Sequence, residues 1–424
     1  RSMSPARFRK VLSVIRSSDA QDLETWVDAR FPAAESAQAI RDLPPIPADE
    51  VLAFPQSSKP LVTILIPVYN EWVITPRCLW SILQYTEGEY EVIIADDCST
   101  DETANIAQYV TGVTVVRQEQ NQRFLKNCNS AAEKARGEFL LLLNNDTTVT
   151  EGWLAPLLNT LAAPDVGIVG PKLLFPSGKL QEAGGIIWND ASGWNYGRAD
   201  DPSRPQYSYL RETDYVSGAA LMVRRALWQE LGGFDETFVP AYYEDTDLCF
   251  SARTAGYKVV YQPASAVVHY EGMTNGTDLS GGQKQYQVVN QKRFFEKWQE
   301  ELKCFHFPNA EQVVRARDRS RGKRGVLVID HYVPHYDKDA GSRSTWMYLK
   351  HMVAMGYRVA FIGANFFPHQ PYTEQLQQLG VEVVVGEAVA RRLDTWLSEN
   401  LPYFDHIFLH RPHVAEQFLS TLKK

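Results

Sequence analysis

Three strand-length apolar runs in the first 150 residues each end in polar or acidic side chains. That pattern constrains the fold more than any other feature of the chain. Leu61–Val68 runs into Tyr69-Asn70-Glu71, Glu91–Ala95 into Asp96-Asp97, and Glu138–Leu143 into Asn144-Asn145-Asp146. A fourth run, Val113–Arg117, ends without acids. Short apolar runs alternating with amphipathic segments read as strands of an α/β sheet with helices on both faces. In such a sheet, ligands bind beyond the carboxyl ends of the strands. Packing therefore explains the runs but not the acids gathered at their ends.

Composition narrows what those acids could serve. The chain has 424 residues, enough for about three domain lengths. Its 44% hydrophobic and 22% charged content suits packed cores. Fifty-one acidic against 43 basic residues give a formal charge of −8, which argues against a general nucleic-acid binder. An anionic nucleotide ligand stays open, since a metal ion and a few local cations can manage its charge. No apolar run approaches the roughly 20 residues of a membrane-spanning helix. The five cysteines contain no C-x-x-C pair and read as free thiols of a reducing cytosol. The chain opens Arg1-Ser2 with no initiator Met and no signal peptide, and reads as a piece of a longer protein.

The organisation falls into four parts. Residues 1–58 read as a helical lead-in and Pro-rich connector, and residues 59–310 as the main α/β domain. Residues 311–324, with six cations, read as a solvated basic linker. Residues 325–424 read as a second, partial Rossmann-like unit, with strands at Gly325–Ile329, Tyr357–Gly363, Val381–Val385 and His406–Leu409. That unit carries no G-x-G-x-x-G motif.

Several clusters could carry chemistry. Asp96 and Asp97 sit at a strand end, where one of them could accept hydrogen bonds from a base N–H or a ribose hydroxyl, or both could belong to a surface turn. Ser99-x-x-Glu102 reads as a capping box for the next helix. Asp146 fits a hard cation that takes one or two protein carboxylates and its remaining ligands from substrate phosphates and water, although Asn-Asn-Asp also makes an ordinary turn. Glu244, Asp245 and Asp247 crowd three carboxylates into four positions, which raises pKa values and suits a general base. The bland alternative makes Asp245 a helix N-cap and Asp247 a dipole partner. His269 ends an apolar run, where a lone His is more often structural than a ligand, and the Gly-rich stretch 271–284 after it has the composition of a lid. The aromatics of 188–215, Trp194 among them, suit either a sugar acceptor or a loop's own core.

Taken in order, Pro67-Val-Tyr-Asn-Glu71, Asp96-Asp97-x-Ser99-x-Asp101, Leu142-Leu-Asn-Asn-Asp146, Ser217-Gly-Ala-Ala220, Gly232-Gly-Phe-Asp235, Glu244-Asp245-x-Asp247-Leu248 and His269 resemble an inverting glycosyltransferase of family 2. The resemblance implies a GT-A fold, a Rossmann-like mixed sheet, and is nearest to enzymes of bacterial surface-polysaccharide assembly, rhamnosyltransferases included. It assigns Pro67, Tyr69, Glu71, Asp97, Asn144 and Lys284 to the donor nucleotide, and Asp146 and His269 to a divalent metal. A nitrogen ligand beside carboxylate and phosphate suits Mn²⁺ as well as Mg²⁺. It makes Asp245 the catalytic base with Glu244 beside it, and Trp194, Gly218, Glu244 and Asp247 the acceptor contacts.

The implied donor is a dTDP-, UDP- or GDP-linked sugar, and the acceptor a glycan or lipid-linked glycan. The implied place is the cytoplasm, compatible with peripheral association at the inner membrane face. Two departures stand out. Asn144 replaces the first acid of a D-x-D motif, and Arg123 stands where the family often has Gly. The second unit resembles the amino-terminal lobe of a GT-B transferase and is expected to be catalytically silent. Two other readings compete: an inactive glycan-binding scaffold, and a sugar-nucleotide pyrophosphorylase. The latter needs a Gly-rich basic loop after the first strand, which Pro67–Glu71 is not.

Overall fold

The computed structural model describes residues 51–72, 74–270 and 285–422. Most of the expected lead-in, the Gly-rich stretch 271–284 and Lys284 lie outside the described residues. Two compact units divide between Gly322 and Lys323.

The first unit is built on a mixed sheet. The elements that position the site, in chain order, are β1 (Val62–Val68), α1 (Thr75–Tyr85), β2 (Tyr90–Asp96), β3 (Thr114–Arg117), α2 (Arg123–Ala132), β4 (Phe139–Leu143), β5 (Thr147–Val149), β6 (Val166–Leu174), β7 (Leu180–Glu182), β8 (Gly185–Ile187), β9 (Gly193–Asn195), β10 (Ala220–Arg224), α3 (Glu244–Thr254), β11 (Lys258–His269) and α4 (Gln285–Phe305). Reading from β11, the strand order is β11-β6-β10-β4-β1-β2-β3, with β5 paired to β11 and β7 to β6, and a two-residue edge strand, Arg211–Glu212, pairs antiparallel with β11.

β1, β2, β3 and β4 are mutually parallel, whereas β10 runs antiparallel to both β4 and β6. Every residue of β1, β2 and β4 is buried, because helices and loops cover both faces. Thr63 and Glu91 are tolerated there because they satisfy each other. Thr63 Oγ1 donates to Glu91 Oε1 at 2.6 Å, and Arg136 pairs with the same carboxylate. This is the GT-A-like mixed α/β sheet expected from the sequence.

The parallel half delivers Tyr69–Glu71, Asp97 and Asn144–Asp146 to one edge. The β5–β11 ladder, with His269 opposite Thr147, brings His269 to the same edge. Two loops there are laced together. Asn70 and Glu71 hold left-handed backbone (φ 58° and 63°). Ser99 Oγ accepts the Asn70 N–H at 2.8 Å, and Asn70 Oδ1 accepts the Thr100 N–H at 2.7 Å. The capping-box expectation is corrected here: Asp101, not Ser99, caps the following 3₁₀ turn through the Thr103 N–H. Ser99 instead pins the turn that carries Tyr69 and Glu71.

The basic segment is also corrected. Residues 311–322 pack within the first unit, with Arg317, Asp318 and Ser320 buried. Arg319 pairs with buried Asp214, and Arg317 Nη1 donates to Tyr196 Oη at 2.9 Å. Two of the six cations that suggested a solvated hinge, Arg317 and Arg319, thus meet partners more than 100 residues away.

The second unit holds β12 (Gly325–Asp330), α5 (Ala340–Ala354), β13 (Arg358–Gly363), β14 (Glu382–Val384) and β15 (His406–Leu409). Its all-parallel order is β14-β13-β12-β15, a Rossmann-like arrangement. Asp339 is the N-cap of α5, accepting the Ser342 N–H at 2.7 Å and the Tyr332 hydroxyl at 2.9 Å.

Candidate active site

One cleft of about 1290 Å³ opens over the carboxyl edge of the first unit's sheet. Its walls include Pro67, Tyr69, Glu71, Asp97, Asn144, Asp146, Trp194, Gly218, Glu244, Asp245 and His269. Of the expected site residues, Asp247 is absent from this lining and Lys284 lies outside the described residues.

On the β1–β2 side, the two aspartates at the end of β2 separate in role. Asp96 turns inward, paired with Arg117 and accepting the Ser99 N–H at 2.8 Å. Asp97 turns to the cleft, where its two oxygens accept the Gln122 and Arg123 N–H groups at 2.6 and 2.9 Å. Burial pushes its carboxyl up, opposed by those two N–H groups. Arg123 lies in the same wall with left-handed backbone, φ 69°, a conformation L-residues pay for. Tyr69, 46% exposed, offers a ring face beside them.

At the centre, the motif after β4 divides similarly. Asn145 is structural: its amide donates to Thr75 Oγ1 at 2.9 Å. Asn144 presents a buried side-chain oxygen that makes no hydrogen bond. Asp146 Oδ1 stands 3.2 Å from His269 Nε2, and both side chains are largely buried. Those two atoms test whether a divalent cation fits. Adjacent corners of an octahedron with bonds of 2.0–2.1 Å lie about 3 Å apart, so both can bind one ion side by side. Among the described residues no group of three or more His, Cys, Asp or Glu gathers for a metal. The fit is thus to an ion that takes its other ligands from phosphate and water.

Opposite stands the start of α3, preceded by two left-handed residues, Tyr242 and Tyr243 (φ 76° and 73°). Such strain persists where surrounding structure enforces it, commonly at functional sites. Here the Tyr243 hydroxyl is tied to the Ala191 carbonyl at 2.8 Å. Asp245 Oδ2 accepts the Gly218 N–H at 2.8 Å and Oδ1 the Thr246 N–H at 2.6 Å. Glu244 is buried beside it, with Oε2 making no hydrogen bond. Burial first, and the neighbouring Asp245 second, push the Glu244 carboxyl up to about 8. Burial likewise raises Asp245. Two carboxyl groups that resist joint ionisation are suited to holding and moving a proton.

Asp247 does not belong to this group. It is buried against α4, with Lys297 Nζ at 2.8 Å and Trp298 Nε1 donating at 2.7 Å. Its expected acceptor role is replaced by a structural one, anchoring α4 on α3. The wall that carries Trp194 is aromatic. Trp194, 39% exposed, leans edge-on against buried Trp188 at 5.0 Å between ring centres.

Sequence reasoning missed Gln181 and Glu182, both buried in the cleft wall. Glu182 Oε1 accepts the Ser217 N–H at 3.1 Å, and Gln181 Oε1 lies 3.1 Å from His269 Nδ1. Their strand is three residues long, too short to show a period.

Residues 63–231 match the family model described as Glycosyl transferase family 2. "Uncharacterized protein y4gI" of Sinorhizobium fredii is 30% identical over 246 residues, covering 55% of this chain and 27% of the relative. O-antigen biosynthesis protein RfbC of Myxococcus xanthus is 29% identical over 246 residues, covering 55% of this chain and 19% of the relative. The chain therefore spans well under half of either protein. Among solved structures, GalNAc-T7 with UDP, GalNAc and Mn²⁺ aligns with a TM-score of 0.47 at 20% identity, over 59% of this chain and 50% of that one. Residues 63–231, which run from β1 through β10, are thus similar to glycosyl transferase family 2.

Proposed function

We propose that the first unit is an inverting glycosyltransferase. It moves a sugar from a nucleoside-diphosphate donor to a hydroxyl of a glycan or lipid-linked glycan, in bacterial surface-polysaccharide synthesis. One observation carries the reading. A carboxylate, Asp245, is held by the Gly218 N–H in the same cleft as the Asp146–His269 pair.

In this reading Tyr69 and Pro67 flank the nucleobase, while Asp97 and Arg123 meet its polar edge. Glu71 and Asn144 take the ribose and diphosphate side. Asp146 and His269 hold a divalent cation, Mn²⁺ or Mg²⁺, whose charge stabilises the departing diphosphate when bound. Asp245 accepts the proton of the acceptor hydroxyl as that oxygen bonds to the anomeric carbon. The bond from that carbon to the phosphate oxygen breaks on the opposite side, its electron pair leaving with the nucleoside diphosphate. Attack from behind inverts the carbon. Glu244, whose carboxyl burial and Asp245 push upward, holds its proton more readily than an ordinary glutamate and so keeps a second negative charge away from the base. Trp194 offers its face to the acceptor sugar. The second unit is read as a lobe of a further transferase module that contributes no group to this reaction.

A thermal-shift and calorimetric screen with UDP, dTDP and GDP, each with and without Mn²⁺, tests the donor half. Metal-enhanced binding of one of them is expected. Acceptor-glycan binding with no nucleotide binding would favour an inactive scaffold instead.

A further inference from the structure

The metal pair has a supporting residue that no motif contains. Resting on the reading of Asp146 and His269 as metal ligands, we propose that Gln181 is a positioning residue. Its side-chain oxygen keeps the His269 proton on Nδ1 and so presents the Nε2 lone pair to the cation.

The placement of Gln181 is specific. In the β6–β7 ladder, Leu180 pairs with Leu174 and Glu182 with Leu173, with a register shift between them. Two residues of step on β7 thus face one on β6, and Gln181 is the extra residue of a bulge. Bulges re-aim side chains, often beside active sites. Gln181 is only 2% exposed, and its neighbour Leu180 packs with Tyr207, Tyr261 and Val268. Burying a long amide in such surroundings costs desolvation and rotamer entropy that an apolar residue would avoid.

The chemistry supplies the reason. Neutral imidazole has one N–H, and the nitrogen without it can only accept. With Gln181 Oε1 3.1 Å from Nδ1, the proton belongs on Nδ1. Nε2 then presents its lone pair 3.2 Å from Asp146 Oδ1, the spacing at which the two atoms can bind one cation side by side. Without the Gln181 acceptor the proton can move to Nε2. There it would hydrogen-bond Asp146 directly and block the position of the ion. Histidine ligands elsewhere are oriented in this way through their second nitrogen.

The test titrates the full chain with Mn²⁺ alone, followed by electron paramagnetic resonance, for wild type, H269A, Q181M and Q181E. Thermal midpoints and ¹⁵N spectra of the histidine rings accompany each. H269A is expected to lose Mn²⁺ affinity. Q181M, similar in size but without the acceptor, should weaken it about 10-fold or more and move the His269 proton to Nε2. Q181E keeps the acceptor, so it should retain Mn²⁺ affinity even though its buried charge lowers the midpoint. A merely structural glutamine predicts the reverse ranking. Wild-type affinity in Q181M, or equal losses in Q181M and Q181E, overturns the positioning role while H269A still upholds the metal site. Unchanged Mn²⁺ affinity in H269A overturns the metal reading itself, and this proposal with it.

Discussion

The Glu244→Gln substitution should make the first unit more stable at alkaline pH and leave it nearly unchanged in acid. Glu244 is 7% exposed, its Oε2 makes no hydrogen bond, and its carboxyl is pushed from 4.5 to about 8 by burial and by Asp245. An acid whose folded pKa is raised binds its proton more tightly folded than unfolded. Its penalty is therefore absent below the unfolded value and grows as pH rises from about 4.5 toward 8. The full displacement sets a ceiling of about 5 kcal/mol. Because Asp245 shares the burden and ionises more easily once its neighbour is neutral, we expect about 2–3 kcal/mol at pH 8.5. That corresponds to a rise in midpoint of roughly 4–10 °C. Unfolding of wild type, E244Q and D245N across pH 4–9 measures it. D245N should shrink the wild-type slope, since it removes the second cause of the shift. Parallel stability–pH curves for wild type and E244Q would refute the placement of a buried, uncompensated carboxyl at this position.

Arg123→Gly should relax the left-handed backbone at φ 69°, worth about 1–2 kcal/mol, partly offset by the greater freedom of glycine in the unfolded chain. Donor binding, read by calorimetry, should meanwhile fall by about 10-fold or more, the loss of one charge-assisted hydrogen bond. Lys297→Met leaves the buried Asp247 carboxylate with Trp298 but without its ammonium. Since Lys297 is partly exposed, we expect about 1–3 kcal/mol of destabilisation in urea unfolding, with donor affinity unchanged. If Trp194 meets the acceptor as proposed, Trp194→Ala should raise the acceptor KM several-fold and leave donor affinity as it was; the ring is 39% exposed and meets Trp188 edge-on.

The sheet and its ligand edge were legible because buried parallel strands write themselves as uninterrupted apolar runs. The polar residues after β1, β2 and β4 could then be assigned to one edge. Local pattern could not divide Asp96 from Asp97, since the choice is made by Arg117 on another strand. Nor could it expel Asp247 from the acidic trio. Two residues beyond Asp245 lies about 200° around the helix, and the lysine waiting there belongs to α4, 50 residues on. The basic stretch 311–322 misled for the same reason, two of its arginines, Arg319 and Arg317, meeting Asp214 and Tyr196 far upstream. Gln181 was illegible because its role depends on a bulge, which exists only once β6 and β7 are paired.

The central claim is that this cleft transfers a sugar with Asp245 as base. The direct measurement incubates wild type and D245N with UDP-, dTDP- and GDP-linked sugars plus Mn²⁺ and a glycan acceptor. Released nucleoside diphosphate gives the rate, and proton NMR gives the anomeric configuration of the product. The account predicts turnover with one donor class and an inverted anomeric centre. It also predicts a loss of about 10²–10⁴-fold in D245N, with folding and donor binding intact. Wild-type turnover in D245N, or a product that keeps the donor's anomeric configuration, would contradict it.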